Sequence, residues 1–286
     1  MPTTIAQGFE KLKENLQITS LQGTTVSTRQ SNVRAAVKKE LTTLDDFLTG
    51  SYKRDTLVAP LSQADIDIFV VLHSQYFEQN GQAALLDKVR GVIARTYPDT
   101  KISRAGQAVT IKFSDFYVDV VPGFSRKGGG YLIPDVPGKR WIGTDPKKHV
   151  ELWTRRNSDK GGKFVPLIKM LKGWNKKHGE LLRSFHLECI AYDVMGPYTV
   201  DYPTSVRYVL DQARNRVQNG VSDPAGYGGN VGNYLDTQVK KDALITKLKA
   251  AYDKAIEAEN LAKESKISAA YDKWRVVFGD YFPAYG

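Results

Sequence analysis

The stretch Ala64-Asp65-Ile66-Asp67-Ile68-Phe69-Val70-Val71-Leu72 decides the fold. Ile66, Ile68, Val70 and Leu72 alternate with Asp65, Asp67, Phe69 and Val71, the period-2 pattern of a strand with one face more apolar than the other. Asp65 and Asp67 stand two apart, so their carboxylates leave on one face while Ile66 and Ile68 face a core. Two such groups repel when ionised, and a divalent cation between their oxygens relieves the repulsion. Val118-Asp119-Val120 repeats the arrangement on a second strand. Three carboxylates on neighbouring strands can hold two magnesium or manganese ions. Two ions ~3.5–4 Å apart suit an in-line displacement at phosphorus. A lone Asp on a wet sheet face would mean little; a paired Asp inside an apolar strand means more.

Upstream of the pair, Gly50 permits close backbone approach, and Ser51 offers a hydroxyl and exposed N–H groups to a terminal phosphate. Lys53 and Arg54 add positive charge, for phosphate contact or as surface residues. Before them, Ser27 is read as capping a helix whose apolar positions are Val33, Val37, Leu41 and Leu44. The segment Ser51 to Ser62 is read as irregular. Downstream, Leu85 to Tyr97 reads as a helix, Val109 to Phe113 and Phe116 to Val121 as a strand pair, and Arg126 to Gly130 as a glycine-rich turn. From Asp145 onward the pattern is mainly helical, with Phe164 to Lys177 the clearest helix and Ser184 to Met195 and Thr237 to Phe278 continuing it. The expected division is a mixed-sheet lobe with an N-terminal helix over residues 1–160 and a helical lobe over 161–286.

Composition supports a folded, anion-seeking protein. The 286 residues are 41% hydrophobic and 10% aromatic, enough for a substantial core, and carry a formal charge of +10. Cys189 is the only cysteine, which excludes a disulfide framework or a cysteine-rich metal site and reads as a buried small hydrophobe. No apolar run has the length of a signal peptide core or a membrane span, so no membrane role and a cytoplasmic location are expected. The histidines His149, His178 and His186 lack partners at zinc-ligand spacing and read as structural. The Lys and Glu alternation around Lys240 to Lys266 reads as the solvated face of helices.

Taken together, Gly50-Ser51, Asp65-Ile66-Asp67 and Val118-Asp119-Val120-Val121-Pro122 resemble the signature of the polymerase-beta-like nucleotidyltransferase superfamily, which includes poly(A) polymerases and CCA-adding enzymes. Within it the chain resembles the bacterial cGAS/DncV-like nucleotidyltransferases, the CD-NTase oligonucleotide cyclases of CBASS antiphage systems. The resemblance runs from about Val33 to the C-terminus. It implies an α+β fold: a mixed sheet lobe, a C-terminal helical lobe and an active site in the cleft between them. It departs at Asp55-Thr56, where Gly-Thr is expected, and at Ala64, where Ser is expected.

The resemblance extends to Pro166-Leu167-Ile168-Lys169-Met170-Leu171-Lys172-Gly173-Trp174-Asn175, similar to that family's lobe-bridging helix. Leu167, Met170, Leu171 and Trp174 fall on one helical face and Lys169, Lys172 and Lys176 on the other. Beside the acids, the resemblance makes Lys169 and Lys172 triphosphate contacts. Ser184-Phe185-His186-Leu187-Glu188 resembles a second short helix, where Ser184 touches triphosphate or base and Phe185 stacks on the base, or else packs as a core ring. Ser222-Asp223-Pro224 and Asn230-Val231-Gly232 resemble a turn-rich loop of oligoadenylate-synthase-like proteins, to which no chemistry is assigned.

The implied activity is magnesium- or manganese-dependent synthesis of a cyclic di- or trinucleotide from ATP, with or without a second nucleoside triphosphate, as a signal to an effector protein. An RNA or tRNA terminal nucleotidyltransferase uses the same chemistry, but no separate RNA-binding module is visible; a nucleic-acid partner stays open. A non-catalytic nucleotide-binding regulator is the reading of another class, and the presence of all three acids argues against it. Gly286 suggests a ubiquitin-conjugation-like partner, with a peptide-sensing protein as the other regulatory candidate. Base choice depends on a pocket assembled from distant segments, so linear spacing does not encode it.

Overall fold

The computed structural model describes residues 2–196 and 201–286. The chain runs α1 (Ile5–Asn15), α2 (Ser20–Glu40), β1 (Thr43–Thr49), α3 (Gly50–Lys53), β2 (Asp65–Leu72), α4 (Gln82–Thr96), β3 (Lys101–Ala105), β4 (Ala108–Lys112), β5 (Tyr117–Ser125), β6 (Tyr131–Asp135) and β7 (Arg140–Thr144). Helices then dominate: α5 (Pro146–Asp159), α6 (Phe164–Lys177), α7 (Ser184–Val194), α8 (Tyr202–Asn219), α9 (Gln238–Lys263) and α10 (Ile267–Phe278).

Two units result, Ile18–Glu151 and Met1–Gln17 with Leu152–Gly286. The sheet unit is built on a mixed sheet ordered β1-β2-β5-β4-β3, with β6 on β5 and β7 on β6. Among the described strands only β2 and β5 run parallel; the other pairs are antiparallel. One sheet face is covered by α2 and α4, where Val33, Val37, Leu86, Val89 and Ile93 pack on Ile66, Ile68, Val70, Val118 and Val120. Beyond Asp67 the other face is apolar too, because Phe69 and Val71 meet Ile133, Phe47 and Tyr131. That is why the alternation of β2 dissolves into the continuous run Phe69-Val70-Val71-Leu72, as expected of a strand buried on both faces.

Several local expectations shift. Helix α2 starts at Thr19, whose side chain and that of Gln22 form a reciprocal capping box, so Ser27 lies inside the helix and is not its cap. Leu41 is already extended and Leu44 lies exposed on β1 rather than on the helix, since Thr42 and Thr43 turn the chain into the edge strand of the sheet. The strand pair β4 and β5 is antiparallel as read, and Arg126 to Gly130 is a plain hairpin turn between β5 and β6. The long C-terminal helical stretch breaks at Ser265, which has φ 62°.

In the helical unit α6 is the central element. From Phe164 to Asn175 every residue but Pro166 is buried, Lys169 and Lys172 included, so the two-faced pattern read from its sequence does not mark a solvent-facing stripe. The division of the chain also differs from the expected 1–160 and 161–286. It falls within α5, and the first helix belongs with the helical unit. The Phe9 ring is the reason: it sits edge-on to Trp274, Phe278 and Phe282 at centroid distances of 4.8, 6.0 and 5.3 Å. Leu12 and Leu16 are fully buried beside it, and the Tyr271 hydroxyl donates to the Thr4 carbonyl at 2.6 Å. Cys189 is buried, as its apolar surroundings predict.

Candidate active site

In the sheet unit, parallel register sets Asp67 directly beside Asp119, and Asp65 beside Tyr117. Register and side-chain alternation put all three carboxylates on one face, opposite the α2/α4 core. Asp65 is exposed at the strand start, whereas Asp67 and Asp119 are half-buried. Antiparallel β4 lays Thr110 on the far side of Asp119.

Burial pushes the Asp119 carboxyl above the ordinary aspartate range, and a hydrogen bond from Thr110 only partly opposes this. Its Oδ1 is buried with no hydrogen-bond partner. A buried orphan acceptor of this kind is costly unless something cationic or protic completes it. The donor set therefore fits a divalent cation. Among the described residues no group of three or more His, Cys, Asp and Glu side chains is placed to hold a metal ion by itself, so a cation here would be held openly by fewer protein ligands. Magnesium is ordinarily held in that open way, by one or two carboxylates with water and substrate phosphate completing its shell.

Gly50, the first residue of α3, follows β1 directly and sits against Asp67. Its φ is 64°, and a Cβ there would lie 1.7 Å from Asp67 Oδ2 and 2.4 Å from its Cγ. No other residue lets the backbone turn this closely over the carboxylate. Ser51 and Lys53 follow on α3, with Ser51 half-buried and Lys53 exposed. The turn is closed by Thr56, whose N–H donates to the Ser51 carbonyl at 2.8 Å. Asp55 has φ 55°, so the departure from the family's Gly-Thr falls on a left-handed position, which glycine adopts freely and Asp tolerates.

The helical unit holds the other predicted residues. Lys169 Nζ donates to Gln17 Oε1 at 2.7 Å, tying α6 to the segment just after α1. Lys172 Nζ lies 3.2 Å from Oε1 of the fully buried Glu188 on α7. Removing one member of such a buried pair leaves a charge without its partner, at a cost of about 3–5 kcal/mol. Glu188→Ala is thus expected to lower the melting temperature strongly and Glu188→Gln much less; equal melting of all three proteins would refute the pairing. Ser184 opens α7 exposed, while Phe185 is half-buried and stacks on Trp153 at 6.1 Å and 21°. Trp153 in turn stacks on Tyr192 at 5.0 Å and 16°.

Sequence reading did not single out Thr110, Gln17, Glu188 as a charge partner, or Trp153. Cross-strand register alone would have flagged Thr110, and the four-residue step from Ser184 to Glu188 along one helix face would have flagged Glu188. The three histidines stay away from the acids' unit in two cases, and His178 Nε2 meets the Val277 carbonyl at 3.0 Å. Burial holds the His186 imidazole down to about 4, so it is neutral at ordinary pH. No described helix is long and apolar enough to cross a membrane.

Residues 3–157 match the family model of the Second Messenger Oligonucleotide or Dinucleotide Synthetase domain. The chain is 30% identical over 249 residues to a cyclic AMP-AMP-AMP synthase of an Acinetobacter species, covering 83% of this chain and 72% of that one. In fold it is similar to the Escherichia coli MS115-1 protein CdnC solved with ATP, with a TM-score of 0.79 at 16% identity over 98% of this chain and 99% of that one. It is similar also to that protein in its complex with HORMA-deltaN, at a TM-score of 0.77 and 16% identity over 98% of each chain. The signature acids, the mixed sheet that presents them and these likenesses agree: the chain belongs to the second messenger oligonucleotide or dinucleotide synthetase family, and it is a nucleotidyltransferase that makes cyclic oligonucleotides.

Proposed function

We propose that the protein joins ATP, alone or with a second nucleoside triphosphate, into a cyclic di- or trinucleotide that signals to an effector protein in antiphage defence. The observation that carries the site assignment is the side-by-side placement of Asp67 and Asp119 on parallel strands, together with a buried Asp119 oxygen that has no hydrogen-bond partner. Magnesium or manganese held by Asp65, Asp67 and Asp119 would supply charge neutralisation of the triphosphate and an acidified attacking hydroxyl. Asp119 would position that attacking hydroxyl. Gly50 and Ser51 bring backbone N–H groups and a hydroxyl to the terminal phosphates, with Lys53 adding charge there. Lys169 and Lys172 offset charge that develops on the triphosphate. Ser184 contacts the nucleotide, and Phe185, backed by Trp153, offers its ring to a base.

The 30% identical Acinetobacter relative, by its name a maker of cyclic AMP-AMP-AMP, supports ATP as the main substrate. The HORMA-deltaN complex of the fold neighbour supports a regulatory protein partner. A direct test is to incubate the purified protein with magnesium or manganese and labelled triphosphates, treat with phosphatase, and identify the product by mass spectrometry. A phosphatase-resistant cyclic product is expected. Only linear, phosphatase-sensitive chains would rule out cyclisation, and label transferred to added tRNA would favour a terminal nucleotidyltransferase.

A further inference from the structure

Helix α7 starts without help from its own sequence. Its cap residue Arg183 makes no side-chain capping bond, so the first-turn N–H groups need partners from elsewhere. One arrives from a loop far along the chain. The Tyr234 hydroxyl accepts the Arg183 N–H at 2.9 Å and lies 2.9 Å from His186 Nδ1, bridging the cap and third residue of the turn. The Arg183 guanidinium lies 4.4 Å above the Tyr234 ring, and the His186 ring stands edge-on to it at 5.6 Å.

The loop that delivers Tyr234 is itself rigid. Asp223 is buried and its carboxylate accepts the N–H groups of Ala225, Tyr227 and Gly228. Asn230 Oδ1 accepts from Val221 N and Gly232 N, and Ser222 and Asn230 form a β-bridge. Gly232 packs on the imidazole, where a Cβ would come within 2.9 Å of His186 Cε1. Tyr234 stays protonated because burial raises its phenol, and His186 stays neutral, so the bridge carries no charge that would change near neutral pH.

We propose that Tyr234 is a positioning residue for nucleotide binding: its hydroxyl pins the first turn of α7 and thereby sets the orientation of Ser184 and Phe185. Trp153 supports the Phe185 ring from one side, and the Tyr234 bridge fixes the backbone that carries it. The inference rests on the assignment of Ser184 and Phe185 to the nucleotide. It concerns a residue that touches no substrate and acts only through α7.

The test compares the full-length enzyme with Tyr234→Phe, Phe185→Ala and the double variant, measuring kcat and KM for ATP at saturating magnesium, melting temperature and amide exchange of α7. Phenylalanine keeps the ring under Arg183 and loses only the hydroxyl. Tyr234→Phe is expected to raise KM about five- to tenfold, the scale of one hydrogen bond, with kcat within about twofold. Arg183 and the first turn of α7 should exchange faster while melting changes little. In the Phe185→Ala background the same substitution should add less than about twofold, because its effect passes through that ring. An unchanged KM for Tyr234→Phe, or full multiplication of the two effects, overturns the proposal. An unchanged KM for Phe185→Ala instead overturns the base-platform assignment. In that case α7 exchange decides the pin: faster in Tyr234→Phe sustains it, unaltered refutes it.

Discussion

Replacing Asp67 with Asn is expected to leave the fold standing and to lower oligonucleotide formation by roughly three orders of magnitude, the scale of losing a group that stabilises transition-state charge. Asp119→Asn should match it in activity and differ in stability. The carboxyl of Asp119 is raised above its ordinary range by burial, so the folded state binds its proton more tightly than the unfolded chain. The sign follows: stability contributed by this group is full at low pH and is lost as pH rises from the ordinary aspartate range through the raised value. Once ionised, the carboxylate holds its charge in a site that disfavours it, and an uncharged isostere removes the cost. Asp119→Asn should melt roughly 2–4 °C above the unsubstituted protein at pH 8 without metal, and the gap should close towards pH 4. Magnesium with ATP should raise the melting temperature of the native protein and not of the variant. A variant that melts lower at pH 8, or retains activity, removes Asp119 from the role assigned to it.

Gly50→Ala is the second large effect. One methyl group placed 1.7 Å from Asp67 Oδ2 forces the carboxylate out of place, and the backbone at φ 64° resists any side chain. Displacement of a reacting group by about 1 Å costs about 10²-fold in rate, and a loss of that order or larger is expected. The accompanying fall in melting temperature should be small, roughly 2–4 °C, since the turn is short and near the surface. A parallel Asp55→Gly substitution relieves a left-handed residue in the same turn and should leave activity unchanged or raise it. If Gly50→Ala kept full activity, the close approach of the turn to Asp67 would have no catalytic meaning.

The strand that carries Asp65 and Asp67 was readable because its side chains obey two demands at once, apolar inward and acidic outward. The second acid strand was readable for the same reason. β1 was hidden because it is an edge strand, and Thr43 to Thr49 holds few apolar residues and two acids; its identity comes from pairing with β2, not from pattern. α6 was legible only in part. Its lysines were read as the face opposite Leu167 and Trp174, but their contacts with Gln17 and Glu188 inside the unit were not, since neither is near them in sequence. The place of Phe9 was illegible for the same reason: its ring is enclosed by Trp274, Phe278 and Phe282 at the other end of the chain.

That enclosure orders events on the ribosome. Ile18–Glu151 is one uninterrupted stretch and can fold as soon as it has been synthesised. α1 emerges before it but must keep Phe9, Leu12 and Leu16 uncovered until the last aromatic residues have been translated. Through the later part of its synthesis the nascent chain therefore carries a completed sheet unit and an undocked greasy helix, a natural target for chaperones and proteases. The sheet unit is thus complete while the helical unit, whose first helix was made first, still awaits its last residues.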